Sequence, residues 1–116
     1  MSETEATPTD KMEQIIRGLA AKAPTLAWET TAEEDVFLVS FQTHSVSLQP
    51  GRGLFPTKYW VGVLDSAGRE LESYDASESH DAELYEIVRS LYEQAKRAAL
   101  KVDEGLDAVL KEIEAV

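Results

Sequence analysis

The chain has 116 residues, no cysteine, and 22 acidic against 11 basic side chains, for a formal charge of -11. That length suits one domain with its own core, and the absence of cysteine excludes a disulfide framework, a thiolate nucleophile and any Cys-ligated metal. The charge repels nucleic acid backbones and anionic membranes, no apolar run approaches the ~18–20 residues of a membrane span, and the acidic Met1-Ser2-Glu3-Thr4-Glu5 is unlike a signal peptide, so a cytoplasmic protein with no direct nucleic-acid or membrane contact is expected.

Residues 1–9 hold Ser, Thr, Glu and Pro8 with no large apolar residue after Met1. This composition predicts a disordered acidic tail and leaves residues 10–116 as a single α+β domain. Asp10 with Glu13 reads as a capping box, and Met12, Ile15, Ile16 and Leu19 form a helical stripe that stops before Pro24, so a first helix is expected over about residues 11–22. Gly18 inside it costs ~1 kcal/mol against Ala and points to close packing on a sheet.

Strands follow. Leu26, Trp28 and Thr30 alternate with Ala27, Glu29 and Thr31, and Glu33-Glu34-Asp35 reads as a turn before the run from Val36 to Phe41. Between Gln42 and Ser45 the alternation slips by one residue, since Phe37, Val39 and Phe41 are odd-numbered whereas Val46 and Leu48 are even; a bulge or corner restores the inward face. Pro50-Gly51-Arg52-Gly53-Leu54-Phe55-Pro56 reads as a connection with Leu54 and Phe55 tucked under the sheet edge. Its glycines precede neither Lys-Ser/Thr nor a helix, so it lacks the parts of a phosphate cradle. Lys58 to Asp65 forms the next strand, residues 66–68 a tight loop with Gly68 left-handed, and Arg69 to Tyr74 the last strand.

From His80 to Val116 a helical pattern runs without proline. Leu84, Ile87, Leu91, Ala95, Ala98 and Val102 recur at three- and four-residue steps on one side. Asp81 and Glu83 occupy the first turn, with Ser77 or Ser79 available as cap. Val102-Asp103-Glu104-Gly105 interrupts the good helix formers, predicting a bend near residues 101–104 and a second helix capped by Asp103 and carrying Leu106, Val109, Leu110 and Ile113.

The expected order is therefore α-β-β-β-β-α, an antiparallel four-stranded meander with N- and C-terminal helices on one face. If residues 66–68 form the last loop, residue 63 faces 71 and 60 faces 74, which places Val61, Val63 and Leu71 toward the helices. The opposite face then presents Trp60, Tyr74, Leu64, Leu38 and Val36, a patch too apolar to stay wet. Its expected cover is the segment 103–116, a second copy in a homodimer, or a partner peptide or small ligand for which the two rings would be hot spots.

Chemistry-bearing patterns are sparse. Asp75, Ser77, Ser79, Asp81, Glu83 and Glu86 have the ligand spacing of a calcium-binding loop, but His80 occupies the position that requires glycine, and a capped acidic helix start accounts for the same residues. His44 and His80 have no signature linking them to a nucleophile or to further ligands, and Ser40, Ser45 and Ser47 lie outside any nucleophile elbow. No catalytic residue, metal or cofactor is expected.

The run Tyr59-Trp60-Val61-Gly62-Val63-Leu64-Asp65-Ser66-Ala67-Gly68-Arg69-Glu70-Leu71, with Leu84-Tyr85-Glu86 and the stretch from Ala98 to Asp107, resembles small uncharacterised bacterial proteins with a β-meander and a C-terminal helix. The resemblance implies a bacterial or phage-type cytoplasmic protein and supplies no activity. Two functions are expected from the residues themselves. One is a non-enzymatic protein-binding or adaptor module that uses the outward sheet face. The alternative is an acidic inhibitor that imitates nucleic acid through a patch including Asp65, Glu70, Glu72 and Asp75.

Overall fold

All five strands of the sheet lie against one helix, α2 (Ala82–Ala99), whose buried side is Leu84, Tyr85, Val88, Leu91, Tyr92 and Ala95. The structure, a computed structural model, describes residues 8–53 and 55–116, with side chains from Asp10 onward. Most of the expected tail and Leu54 lie outside the described residues.

The sheet is an antiparallel meander in the order β1 (Trp28–Thr30), β2 (Phe37–Ser40), β3 (Ser45–Pro50), β4 (Lys58–Leu64) and β5 (Glu70–Ser77). It has five strands rather than four. The slip between Gln42 and Ser45 is a hairpin turn, closed by the Phe41 amide donating to the His44 carbonyl at 2.7 Å, and not a bulge in one long strand. Turning the chain over brings Val39 opposite Val46 and Phe37 opposite Leu48, all four buried, which satisfies the change from odd to even. Phe41, expected in the core, sits in the turn and is half exposed.

The Asp65–Arg69 loop forms as read. The Asp65 carboxylate accepts the Ala67 and Arg69 amides at 2.9 and 3.0 Å and the Arg69 guanidinium, while Gly68 adopts φ 84. These backbone donors, Arg69 first, hold the Asp65 carboxyl below its ordinary pKa. Beyond the loop the register departs from expectation. Leu64 pairs with Glu70 but Val63 pairs with Glu72, so Leu71 is an extra, exposed residue of a β-bulge. Every position after it changes face.

Helix α1 (Pro8–Lys22) buries Met12, Ile16 and Leu19 against α2 and β5, and a short 3-10 turn, Ala23–Thr25, leads into β1. Helix α2 is capped by Asp81, whose carboxylate accepts the Leu84 amide at 3.1 Å; the serines expected to cap it do not. Its tyrosines brace the sheet. Tyr85 donates to the Pro56 carbonyl and Tyr92 to the Asp35 carbonyl, each at 2.8 Å, and Tyr92 stacks in tilted fashion on Phe37 and Tyr59. Burial raises the pKa of both Tyr59 and Tyr92. One buried donor, the Trp28 indole N–H, has no hydrogen-bond partner among the described residues.

The bend falls at Leu100 and Lys101. Lys101 takes the left-handed conformation (φ 54) that commonly ends a helix, and α3 (Val102–Glu114) starts there without a side-chain cap. Asp103, expected to cap it, is instead its second residue and pairs with Arg97 across the bend at 2.7 Å. Among the described residues α3 touches α2 and no other element, and none of its residues is buried. It does not lie on the sheet with the other helices.

Candidate functional site

Register determines what the outward sheet face presents. Glu29, Leu38, Ser47, Gly62 and Ser73 form one cross-strand row, with Gln49, Trp60 and Asp75 on one side of it and Ser40, Ser45, Leu64 and Glu70 on the other. Trp60, Leu64 and Leu38 therefore share this face, as expected, but small polar residues separate them and all three are half-buried. Lys58 places its ammonium 5.5 Å from the Trp60 ring centroid, and the Glu70 carboxylate lies over Gly62, where an added Cβ would stand 3.2 Å from Oε1. Tyr74 pairs with Val61 and packs against the core on the helix side, and Val36 lies in the turn before β2. The two rings of the expected patch thus stand on opposite faces, because the bulge at Leu71 inverts Tyr74 relative to Trp60.

The acidic residues are dispersed too. Asp65 is engaged in its own turn, Glu70 and Asp75 point outward, and Glu72 is opposite Val63 on the helix side. A cleft of about 780 Å³ includes Lys58, Tyr74, Asp75, Ser77 and His80. Among the described residues no hydrogen bond joins these side chains to one another, and no group of three or more His, Asp or Glu could hold a metal ion. The positioned base and partner that acid–base chemistry needs are not assembled in it. His44 has its Nδ1 2.7 Å from the Thr43 hydroxyl in the exposed β2–β3 turn.

Two apolar surfaces stand out instead. The first is the stripe of α3. Leu106, Val109, Leu110 and Ile113 follow one another at three-, one- and three-residue steps and are 51–63 % exposed. Sequence reasoning marks these residues as a helical stripe, and folding of the segment 103–116 over the outward sheet face is one of the alternatives it leaves open. The second, which it did not find, is a groove of about 350 Å³ between α1 and the end of the sheet, lined by Ile15, Leu19, Leu26, Phe41, Val46 and Val63, with Gly18, Lys22 and His44 completing it. An added Cβ on Gly18 would meet nothing within 4 Å, so this glycine faces open space and does not pack on the sheet. A glycine on an otherwise regular helix was the signal available. Phe55, expected to tuck under the sheet, is 88 % exposed at the β3–β4 connection.

No helix of the described residues is long and apolar enough to cross a membrane. No family model, curated protein or solved structure matches this chain, so its functional reading rests on the surfaces just described.

Proposed function

We propose that this chain is a non-enzymatic protein-binding module and that α3 is the element it presents. The observation that carries the proposal is the α3 stripe, four aliphatic side chains more than half exposed on a helix that, among the described residues, touches only α2. A contiguous apolar surface of this kind marks an interaction site on a protein otherwise rich in charge. Completing the burial of each side chain recovers roughly half of the ~1.5–3 kcal/mol for a fully buried aliphatic group, or ~3–6 kcal/mol for the stripe. That is comparable with the ~4–15 kcal/mol that association costs in lost freedom. A partner that touches only the stripe is held weakly, and firm binding needs a second contact.

The test is co-purification from the source cell at low and high salt, with the wild-type chain and a Leu106→Glu, Ile113→Glu variant. Apolar docking survives high salt and is lost in the variant. Equal recovery of the same proteins by both chains would remove α3 from the binding surface.

A further inference from the structure

Resting on the reading of α3 as a docking element, we infer that its partner is the groove of a second copy of this chain, with two copies exchanging α3 helices about a two-fold axis. The groove and the stripe are complementary in character. Ile15, Leu26, Phe41 and Val63 offer aliphatic and aromatic surface, and the Gly18 backbone leaves room for a helix to approach closely. Knob residues of the right kind stand on α3 in Leu106, Val109, Leu110 and Ile113.

Charge agrees with this occupant. In a chain of formal charge -11, no carboxylate lines the groove, whereas Lys22 does, and Lys11 follows the same side of α1 at four-, three- and four-residue steps through Ile15 and Gly18. Helix α3 carries five acidic side chains against Lys111, and helical spacing sets Asp107 and Glu114 along one edge of its stripe. An acidic amphipathic helix therefore meets an apolar groove lined by Lys22 and His44, with Glu72, opposite Val63, the acidic neighbour at its sheet end.

Position and area select reciprocity. Lys101, Asp103 and Glu104 at the start of α3 line a cleft of about 440 Å³ whose other wall includes Ala23 and Pro24 of the 3-10 turn, and the groove is lined by Lys22 and Leu26 on either side of that turn. Two copies related by a two-fold axis near this point bring each α3, about 20 Å long, toward the other's groove. A single docked helix of 13 residues is one small contact, whereas exchange makes two, toward the ~1,200–2,000 Å² of a stable interface. The expected dimer is of roughly micromolar affinity.

Sedimentation equilibrium of the full chain over roughly 1–200 µM, bracketing that affinity, tests the inference. The wild-type chain should pass from monomer to dimer. Ile113→Glu, at an exposed position that leaves the monomer intact, should weaken the dimer at least ~10-fold by placing a charge in an apolar contact. Gly18→Leu should do the same from the groove side while leaving thermal stability equal or higher, because the side chain has open space and a better helix propensity. A wild-type chain that stays monomeric throughout overturns the exchange, even if the α3 variant loses another partner and so sustains the broader reading. A dimer that Ile113→Glu dissolves and Gly18→Leu leaves untouched also overturns it, since α3 would then pair elsewhere.

Discussion

Helices α2 and α3 are consecutive, both amphipathic, and separated by only Leu100 and Lys101, yet α2 buries six side chains and α3 buries none. The difference is in what each meets and not in its own periodicity. Helix α2 crosses all five strands and gains Tyr85 and Tyr92 as braces between helix and loops, whereas the left-handed residue Lys101 directs α3 away from the sheet. Amphipathic spacing shows that a helix has a face to bury; only the chain path shows whether its own domain covers it.

Substitutions can break this comparison. The largest expected effect is at Leu91, which is fully buried: Leu91→Ala should cost ~2–5 kcal/mol through lost transfer energy and a cavity. Leu106→Ala, the same change on α3, should stay within ~0.5 kcal/mol when measured at a dilution that keeps the chain monomeric. Urea unfolding of both variants checks the contrast, and equal losses would mean that α3 is packed within its own domain.

Next is the tyrosine brace. Tyr92→Phe keeps the ring contacts with Phe37 and Tyr59 but removes the bond to the Asp35 carbonyl, a loss of ~1 kcal/mol. It should also change the response to alkali. Burial raises the folded-state pKa of Tyr92 and Tyr59 above the unfolded value of ~10, so the folded chain binds protons that the unfolded chain releases. The stability this confers is complete below pH ~10 and declines as pH rises toward the folded-state values. Unfolding free energies across that range should fall less steeply for Tyr92→Phe than for wild type.

Two smaller effects sharpen the contrast at the helix ends. Asp81→Ala removes the cap of α2 and should cost ~1 kcal/mol, read as a lower urea midpoint with an unchanged slope. Lys101→Gly relieves a left-handed residue at the bend and should leave stability unchanged or raise it by up to ~1 kcal/mol.

Much of the architecture was readable from residue patterns, and the departures have specific causes. The helices, the bend and the Gly68 loop follow from strong local signals in apolar spacing and left-handed turn chemistry. The β2–β3 hairpin was hidden because its turn residues, Gln42 and Thr43, include none of the Gly, Asn, Asp or Pro that mark such turns, leaving only the change in alternation. Leu71 gave no sign of a bulge, and that one inserted residue moved Tyr74 from the face of Trp60 to the core. The α3 stripe was legible as a stripe, but its lack of cover was not. Nor was the groove, whose lining comes from α1, Leu26, the β2–β3 turn, β3 and β4, which only the fold brings together.

Hydrogen–deuterium exchange at two protein concentrations bears most directly on the claim that α3 completes its burial on another molecule. The amides of α2 should be protected at both, while those of α3 should exchange rapidly in dilute solution and slow as concentration rises. Slow exchange of α3 that is independent of concentration would contradict the account, because the helix would then be covered by its own chain.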